Sequence, residues 1–283
     1  SVGADVNKAC DKAYTPLYAA AAGGHVDCVN ALASEGADVN QAGEQGYTPL
    51  YAAVAGGRVH CINALASVGA DVNKASNEGL TPLYAAADKG HVACVGALAF
   101  VGADPNKACD KGYTPLNAAA CRGHVDCVDA LASVGADLNK ACNKGSTPLY
   151  WAAAGGHMDC VNALASVGAD VNKASDEGFT PLYAAAHRGH VDCVRALASV
   201  GADLNKASNE GYTPLNAAAC RGHVDCVRAL ASVGADLNKA CDKGYTPLYA
   251  AACRGHVDCV RALASVGADL NKACDKGYTP LYA

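Results

Sequence analysis

The sequence predicts an all-α repeat solenoid, a stack of helix-turn-helix units joined by short turn or hairpin tips. Two observations predict it. A string of the form Tyr-Thr-Pro-Leu-Tyr-Ala-Ala-Ala returns every 33 residues, its prolines falling at Pro16, Pro49, Pro82, Pro115, Pro148, Pro181, Pro214, Pro247 and Pro280. Each unit also carries its own start and stop signals for two short helices. A fixed period in this range marks an array whose units cannot bury their apolar faces alone and must stack on neighbours. Function is then expected on a surface rather than in a closed pocket.

The unit 241–273 shows how the elements arise. Asp242-Lys243-Gly244 is turn chemistry, with Gly244 free to take positive φ. Thr246 offers a hydroxyl as N-cap and Pro247 sits at the first helical position, where its missing N–H costs nothing. The first helix is expected to run from there through Ala252 and to stop near Gly255, a residue suited to a left-handed cap. A second helix is expected from about His256 to Val266. Its Cys259, Val260, Leu263 and Ala264 form one apolar stripe, and Asp258 lies in its first turn, where the helix dipole favours an anion. Gly267 ends it, and Ala268 to Lys272 lead out to the next turn. Helices of two to three turns are marginal alone in water, so the stack must stabilise them.

The stretches Gly-x-Thr-Pro-Leu, Ala-Ala-x-x-Gly-His and Gly-Ala-Asp-Val/Leu-Asn recur in nearly every unit, and with them the chain resembles the ankyrin family. The resemblance covers the whole chain. It implies a turn or hairpin tip followed by two antiparallel helices, and a non-enzymatic scaffold that meets protein partners along a concave face through tips and helix-one ends. Three departures stand out. The signature histidine is tyrosine in seven units (Tyr18, Tyr51, Tyr84, Tyr150, Tyr183, Tyr249, Tyr282) and asparagine in two (Asn117, Asn216). The leucine-rich end of helix two is reduced to Ala-Leu-Ala, which removes about 0.8 kcal/mol of burial per methylene. The aspartate usual at the turn is Cys or Ser in most units, which removes a local acceptor. The tyrosines are read as packing between helices rather than as a binding ladder.

The unbroken period overrides the two-domain prior from length, so residues 1–283 are expected to form a single solenoid, with partial repeats at 1–9 and 274–283 and a place within a longer array. No apolar run reaches the length of a membrane span, and no membrane insertion of this segment is expected. The sixteen cysteines follow the repeat. Eight (Cys28, Cys61, Cys94, Cys127, Cys160, Cys193, Cys226, Cys259) lie on the helix-two stripe and are expected to be buried and reduced, because equivalent positions of stacked helices lie about 8–10 Å apart, beyond disulfide reach. Five at the turns (Cys10, Cys109, Cys142, Cys241, Cys274) and three at helix-one ends (Cys121, Cys220, Cys253) are expected to be the exposed, reactive ones. An intracellular, cytoplasmic setting follows. His-Val-Asp-Cys, as in His124 to Cys127, is two ligand types without a third at metal-site spacing, so no metal, cofactor or catalytic residue is expected.

Variation between units is sparse. Units 109–141 and 241–273 differ only at Asn117 against Tyr249 and Asp129 against Arg261. The differences cluster at tips, helix-one ends and one exposed site of helix two. Tip cysteines go with a following Lys and tip serines with a following Glu, as at Lys111 and Glu210. Residues 1–141 hold nine Lys/Arg against fourteen Asp/Glu and 142–283 hold thirteen against thirteen, so the second half carries an arginine row on a neutral background. Lys111, Tyr113, Arg122, Arg188, Arg221, Tyr245 and Arg254 are the expected partner-binding residues. Arg188, Arg221 and Arg254, about one repeat spacing of 10 Å apart, suit an acidic or phosphorylated segment. A net charge of −5 without a basic stripe in the first half argues against nucleic acid. The rival reading is an architectural or elastic spacer, or a filament-forming segment, of a very long repeat protein, for which near-copies serve as well as distinct units.

Overall fold

A computed structural model of the chain describes residues 5–280. Tyr282 and the outermost residues of the two partial repeats, 1–4 and 281–283, lie outside the described residues. The contacts divide the chain into two units, residues 1–143 and 144–283. The first holds α1 (Pro16–Gly23), α2 (Val26–Ser34), α3 (Pro49–Ala55), α4 (Val59–Ser67), α5 (Pro82–Lys89), α6 (Val92–Phe100), α7 (Pro115–Arg122) and α8 (Val125–Ser133). The second holds α9 (Pro148–Gly155), α10 (Met158–Ser166), α11 (Pro181–Arg188), α12 (Val191–Ser199), α13 (Pro214–Arg221), α14 (Val224–Ser232), α15 (Pro247–Ala252) and α16 (Val257–Ser265). No strand occurs among the described residues.

The helix starts are those the sequence encodes. In every odd-numbered helix a threonine accepts a hydrogen bond from the backbone N–H three residues on, with proline at the first helical position. Removing such a cap costs about 1 kcal/mol. The stops are more varied. Gly222 closes α13 at φ 76° while its N–H reaches Ala218 and Ala219. In α15, Gly255 keeps its positive φ of 71°, but the helix ends earlier, because the Arg254 N–H bonds the Ala251 carbonyl and tightens the last turn. The second helices have no side-chain cap. Acidic residues such as Asp258 in their first turn answer the exposed N–H groups electrostatically.

Within each unit, first helices pack on first helices and second on second in successive repeats. The core is one leucine from each first helix and, from the second helices, the Cys-Val-x-x-Leu stripe, all at or near zero exposure in the interior repeats. Burial pushes the Cys127 and Cys193 thiols up to about 11 and that of Cys226 up to about 12, so they stay protonated and inert at neutral pH. No disulfide is present among the described residues.

Two expectations about cysteines need correction. Cys28 is exposed, because its helix face meets the preceding repeat in the other units and no helix precedes α1 among the described residues. The tip cysteines Cys109, Cys142, Cys241 and Cys274 are buried rather than exposed. Each tip leans on the one before it: Asp110 N–H bonds Glu78 O at 3.2 Å, and Asn143, Asp242 and Asp275 repeat this bond one tip on. The cysteine beside each donor is thereby covered. Cys10, with no tip before it among the described residues, is exposed.

Further ladders tie the repeats. Asn40 shows one: its Oδ1 accepts from Asp71 N–H at 2.8 Å, its Nδ2 donates to Gly69 O at 3.2 Å, and Lys74 Nζ donates to its carbonyl at 2.9 Å. The same asparagine recurs at Asn73, Asn106, Asn205 and Asn238. The Gly-His pair joins the two helices of its own repeat, where His124 N–H bonds Ala119 O at 3.0 Å and its carbonyl accepts from Val128 N–H at 3.0 Å, and its ring also works between repeats. His124 Nε2 lies 3.2 Å from Asp88 O, and His223 and His256 lie 3.1 Å from the carbonyls of His187 and Cys220.

Candidate functional site

The most varied positions of the sequence meet along one edge of each unit, where turn tips face the ends of first helices. In the first unit they line a groove of about 480 Å³, with Glu78, Asp110 and Lys111 on the tips, Tyr84 and Tyr113 as its aromatic wall, and Arg122 beside Asp88. In the second unit a groove of about 380 Å³ has Asp176, Glu177 and Glu210 on the tips, Phe179, Tyr183 and Tyr212 as the wall, and His187, Arg221 and Arg254 at the helix ends.

In the second groove the Phe179–Tyr183 part of the wall is built locally, by a stack that other repeats share. A ring at the last tip position stacks on the ring four residues later in the first helix. Tyr14 meets Tyr18 and Tyr47 meets Tyr51 at 4.2 Å, Phe179 meets Tyr183 at 4.5 Å, and Tyr245 meets Tyr249 at 4.8 Å. Tyr18, Tyr51, Tyr183 and Tyr249 therefore stiffen the tip of their own repeat. Burial pushes Tyr183 up to about 12, so its hydroxyl remains a donor. Tyr249 is raised first by hydrogen bonding to the Cys253 thiol and then by burial; the Cys274 thiol also bonds its hydroxyl. The two asparagines at this position act differently. Asn117 and Asn216 complete capping boxes with Thr114 and Thr213, and Asn216 Nδ2 also donates to Tyr245 O of the next tip at 3.2 Å. At the tips, Ser76, Ser175 and Ser208 restore the acceptor that the missing aspartate would supply, for their hydroxyls accept from the N–H of Leu80, Phe179 and Tyr212.

The seven residues expected from the sequence are only partly brought together. Lys111, Tyr113 and Arg122 share the first groove. Arg221 and Arg254 share the second. Arg188 lies in a smaller recess with Tyr150, Ala154 and Tyr183. Tyr245 is half-buried against Tyr249, outside the groove lining.

All four helix-end arginines are exposed, yet their surroundings differ. Arg122 Nε is held by Asp88 Oδ1 at 2.8 Å. Arg221 Nε donates to His187 Nε2 at 3.0 Å, which requires that nitrogen to be unprotonated. The His187 imidazole is held below its ordinary range by burial first and then by Arg221, Arg188 and His223. Arg188 and Arg254 have no ion-pair partner among the described residues. The aspartates of helix two do not neutralise this row. Asp192, Asp225 and Asp258 lie 3.6–3.8 Å from Arg195, Arg228 and Arg261 of their own helices.

Among the described residues no group of three or more His, Cys, Asp or Glu is placed to hold a metal ion. No helix there is long and apolar enough to cross a membrane.

Comparison with known proteins agrees with this architecture. A family model for ankyrin repeats (3 copies) matches residues 2–76, 42–109, 83–175, 167–241 and 233–283. No curated protein matches the chain in sequence. Among solved structures, the human ASB11 ankyrin repeat domain is similar at 31% identity and a TM-score of 0.71, over 79% of this chain and 99% of that one. With the 33-residue period, the Thr-Pro helix starts and the stacked helix pairs already established, the family model spans nearly every residue, and the chain belongs to the ankyrin-repeat family.

Proposed function

We propose that this chain is a non-enzymatic scaffold that takes segments of partner proteins on its concave face, in the grooves between tips and helix-one ends. Ankyrin repeats mediate protein–protein interaction. The partner segment carries a carboxylate or phosphoryl group for the arginines of the second unit. The single observation that supports this choice is that Arg188 and Arg254 are exposed without an ion-pair partner among the described residues, while the helix-two arginines beside them are paired. Glu177 and Glu210 on the opposite wall disfavour a uniformly acidic chain, so the acidic group is local. The unbridged buried thiols favour a reducing, intracellular compartment.

The test is fluorescence anisotropy with a short labelled Gly-Ser peptide carrying one phosphoserine. Joint replacement of Arg188, Arg221 and Arg254 by Ala is expected to weaken binding at least about tenfold, for which the loss of one charge-assisted hydrogen bond suffices. Joint replacement of Arg195, Arg228 and Arg261 by Ala removes the same charge from the same unit and is expected to leave the affinity nearly unchanged. Equal effects of the two triples would reduce the row to a general charge effect. Absence of binding by the unaltered chain would favour the spacer, whose supporting observation is that units 109–141 and 241–273 differ at only two positions.

A further inference from the structure

Each helix-end arginine faces the residue 34 positions before it, on the first-helix end of the preceding repeat. That residue differs every time. For Arg122 it is Asp88, whose carboxylate binds the guanidinium at 2.8 Å. For Arg221 it is His187, a neutral acceptor at 3.0 Å. For Arg188 it is Ala154, which shares a recess with the arginine and offers no polar side-chain atom. For Arg254 it is Cys220, in the same groove and with no hydrogen bond to the guanidinium among the described residues. The geometry is conserved by the repeat while the chemistry of the facing residue changes from carboxylate to imidazole to thiol to methyl.

We propose that this facing residue determines specificity: it decides whether the arginine of the next repeat is available to an external carboxylate or phosphoryl group. The Asp88–Arg122 pair is an internal copy of the contact a partner would make, and it fills the seat in the first groove. In the second unit the same seat is left unfilled beside Arg188 and Arg254 and is half-filled beside Arg221. The array thus reads acidic groups in the second unit and excludes them from the first, although both grooves carry an arginine. The proposal rests on the scaffold reading above and adds to it which residue sets the choice.

Two reciprocal substitutions test it. Cys220→Asp places at the second groove the residue that repeat 76–108 already carries at Asp88, so the fold accommodates it. Asp88→Ala opens the first groove, and Asp88→Asn does the same with the shape preserved. In the phosphoserine-peptide assay Cys220→Asp is expected to weaken binding by up to about fivefold, the range of an exposed ion pair. Asp88→Ala, made in the background lacking Arg188, Arg221 and Arg254, is expected to restore binding that this background has lost. Solvent exchange of the arginine Nε–H groups, followed by NMR without any peptide, is the second readout. Arg122 Nε–H should exchange faster in Asp88→Ala and Asp88→Asn, and Arg254 Nε–H slower in Cys220→Asp. Unchanged affinities in both substitutions, with the peptide still bound by the unaltered chain, would overturn this inference and leave the scaffold reading standing. If the unaltered chain binds no peptide, the scaffold's acidic-partner reading fails, and the exchange rates alone decide: altered rates support control by the facing residue and unaltered ones sink it.

Discussion

A single side chain shows how position in the stack outweighs residue type. His187 sits where Asp88, Ala154 and Cys220 sit in other repeats, but only there does an imidazole meet a guanidinium, Arg221. Burial comes first in holding His187 below its ordinary range, followed by the charges of Arg221 and Arg188 and by His223, so the folded chain binds this proton less readily than the unfolded one. The sign follows from linkage: stability from this site is fully present above the unfolded pKa near 6.5 and is lost as pH falls from there through the lower folded pKa. Protonation also removes the acceptor that Arg221 uses. A His187 titration by NMR should therefore show a midpoint below that of an unfolded peptide, and Arg221→Ala should move it upward. A midpoint at or above the peptide value in the unaltered chain would contradict the network. Cys28 teaches the same lesson, being on the stripe that buries Cys61 and Cys94 yet exposed for want of a preceding helix among the described residues.

Among the elements, the tips and the helix-two ends both use a glycine at positive φ, and the stack separates their roles. Gly168, after α10, has φ 95° and nothing within 4 Å of where a Cβ would stand. Gly178, at a tip, has φ 80°, and a Cβ there would lie 2.6 Å from both the backbone nitrogen and Oδ1 of Asn209 in the next tip. Gly168→Ala should cost only the left-handed backbone penalty, about 1–2 kcal/mol. Gly178→Ala should cost clearly more, because it also displaces the bond from Asn209 N–H to Glu177 O. Urea melts of the two variants decide this, and equal midpoints would show that the tip ladder gives way without loss. The Thr-Pro starts and the glycine stops were legible in the sequence because their partners lie within four residues. The tip ladder, the asparagine ladder and the inter-repeat histidine bonds were not, since their partners lie 29 to 36 residues away and only the stack names them. The candidate site divides the same way. Lys111, Tyr113 and Arg122 could be grouped from their varied positions, whereas the capture of Arg122 by Asp88 and the recess around Arg188 needed the offset between repeats.

At the scale of the whole molecule, the property that matters is that these offsets close on the period. Excising residues 208–240 would place Cys241 directly after Ala207, and most of the broken bonds would re-form with the same residue type one period on. Asn205 Oδ1 would accept from Asp269 N–H in place of Asp236, and its carbonyl would accept from Lys272 in place of Lys239. His256 would take the place of His223 at the carbonyl of His187, and Arg254 that of Arg221 at its imidazole. The excised unit differs from its successor at four positions only. One of them carries a loss, since Asn209 Nδ2 donates to Asp176 O and the incoming Asp242 cannot. In an array whose stability is a sum of unit and nearest-neighbour terms, the shortened chain should fold, with helix content per residue unchanged and an unfolding midpoint lowered by one unit and one interface. Circular dichroism and urea unfolding measure both quantities. A shortened chain that aggregates, or that loses cooperative unfolding, would mean that the near-copies are not interchangeable and that specific pairs such as His187 with Arg221 hold the second unit together. The four differing positions include three tip residues and the Asn216 capping box, which lie at or beside the groove, so an excised chain that folds but no longer binds the phosphoserine peptide would place recognition in those few differences.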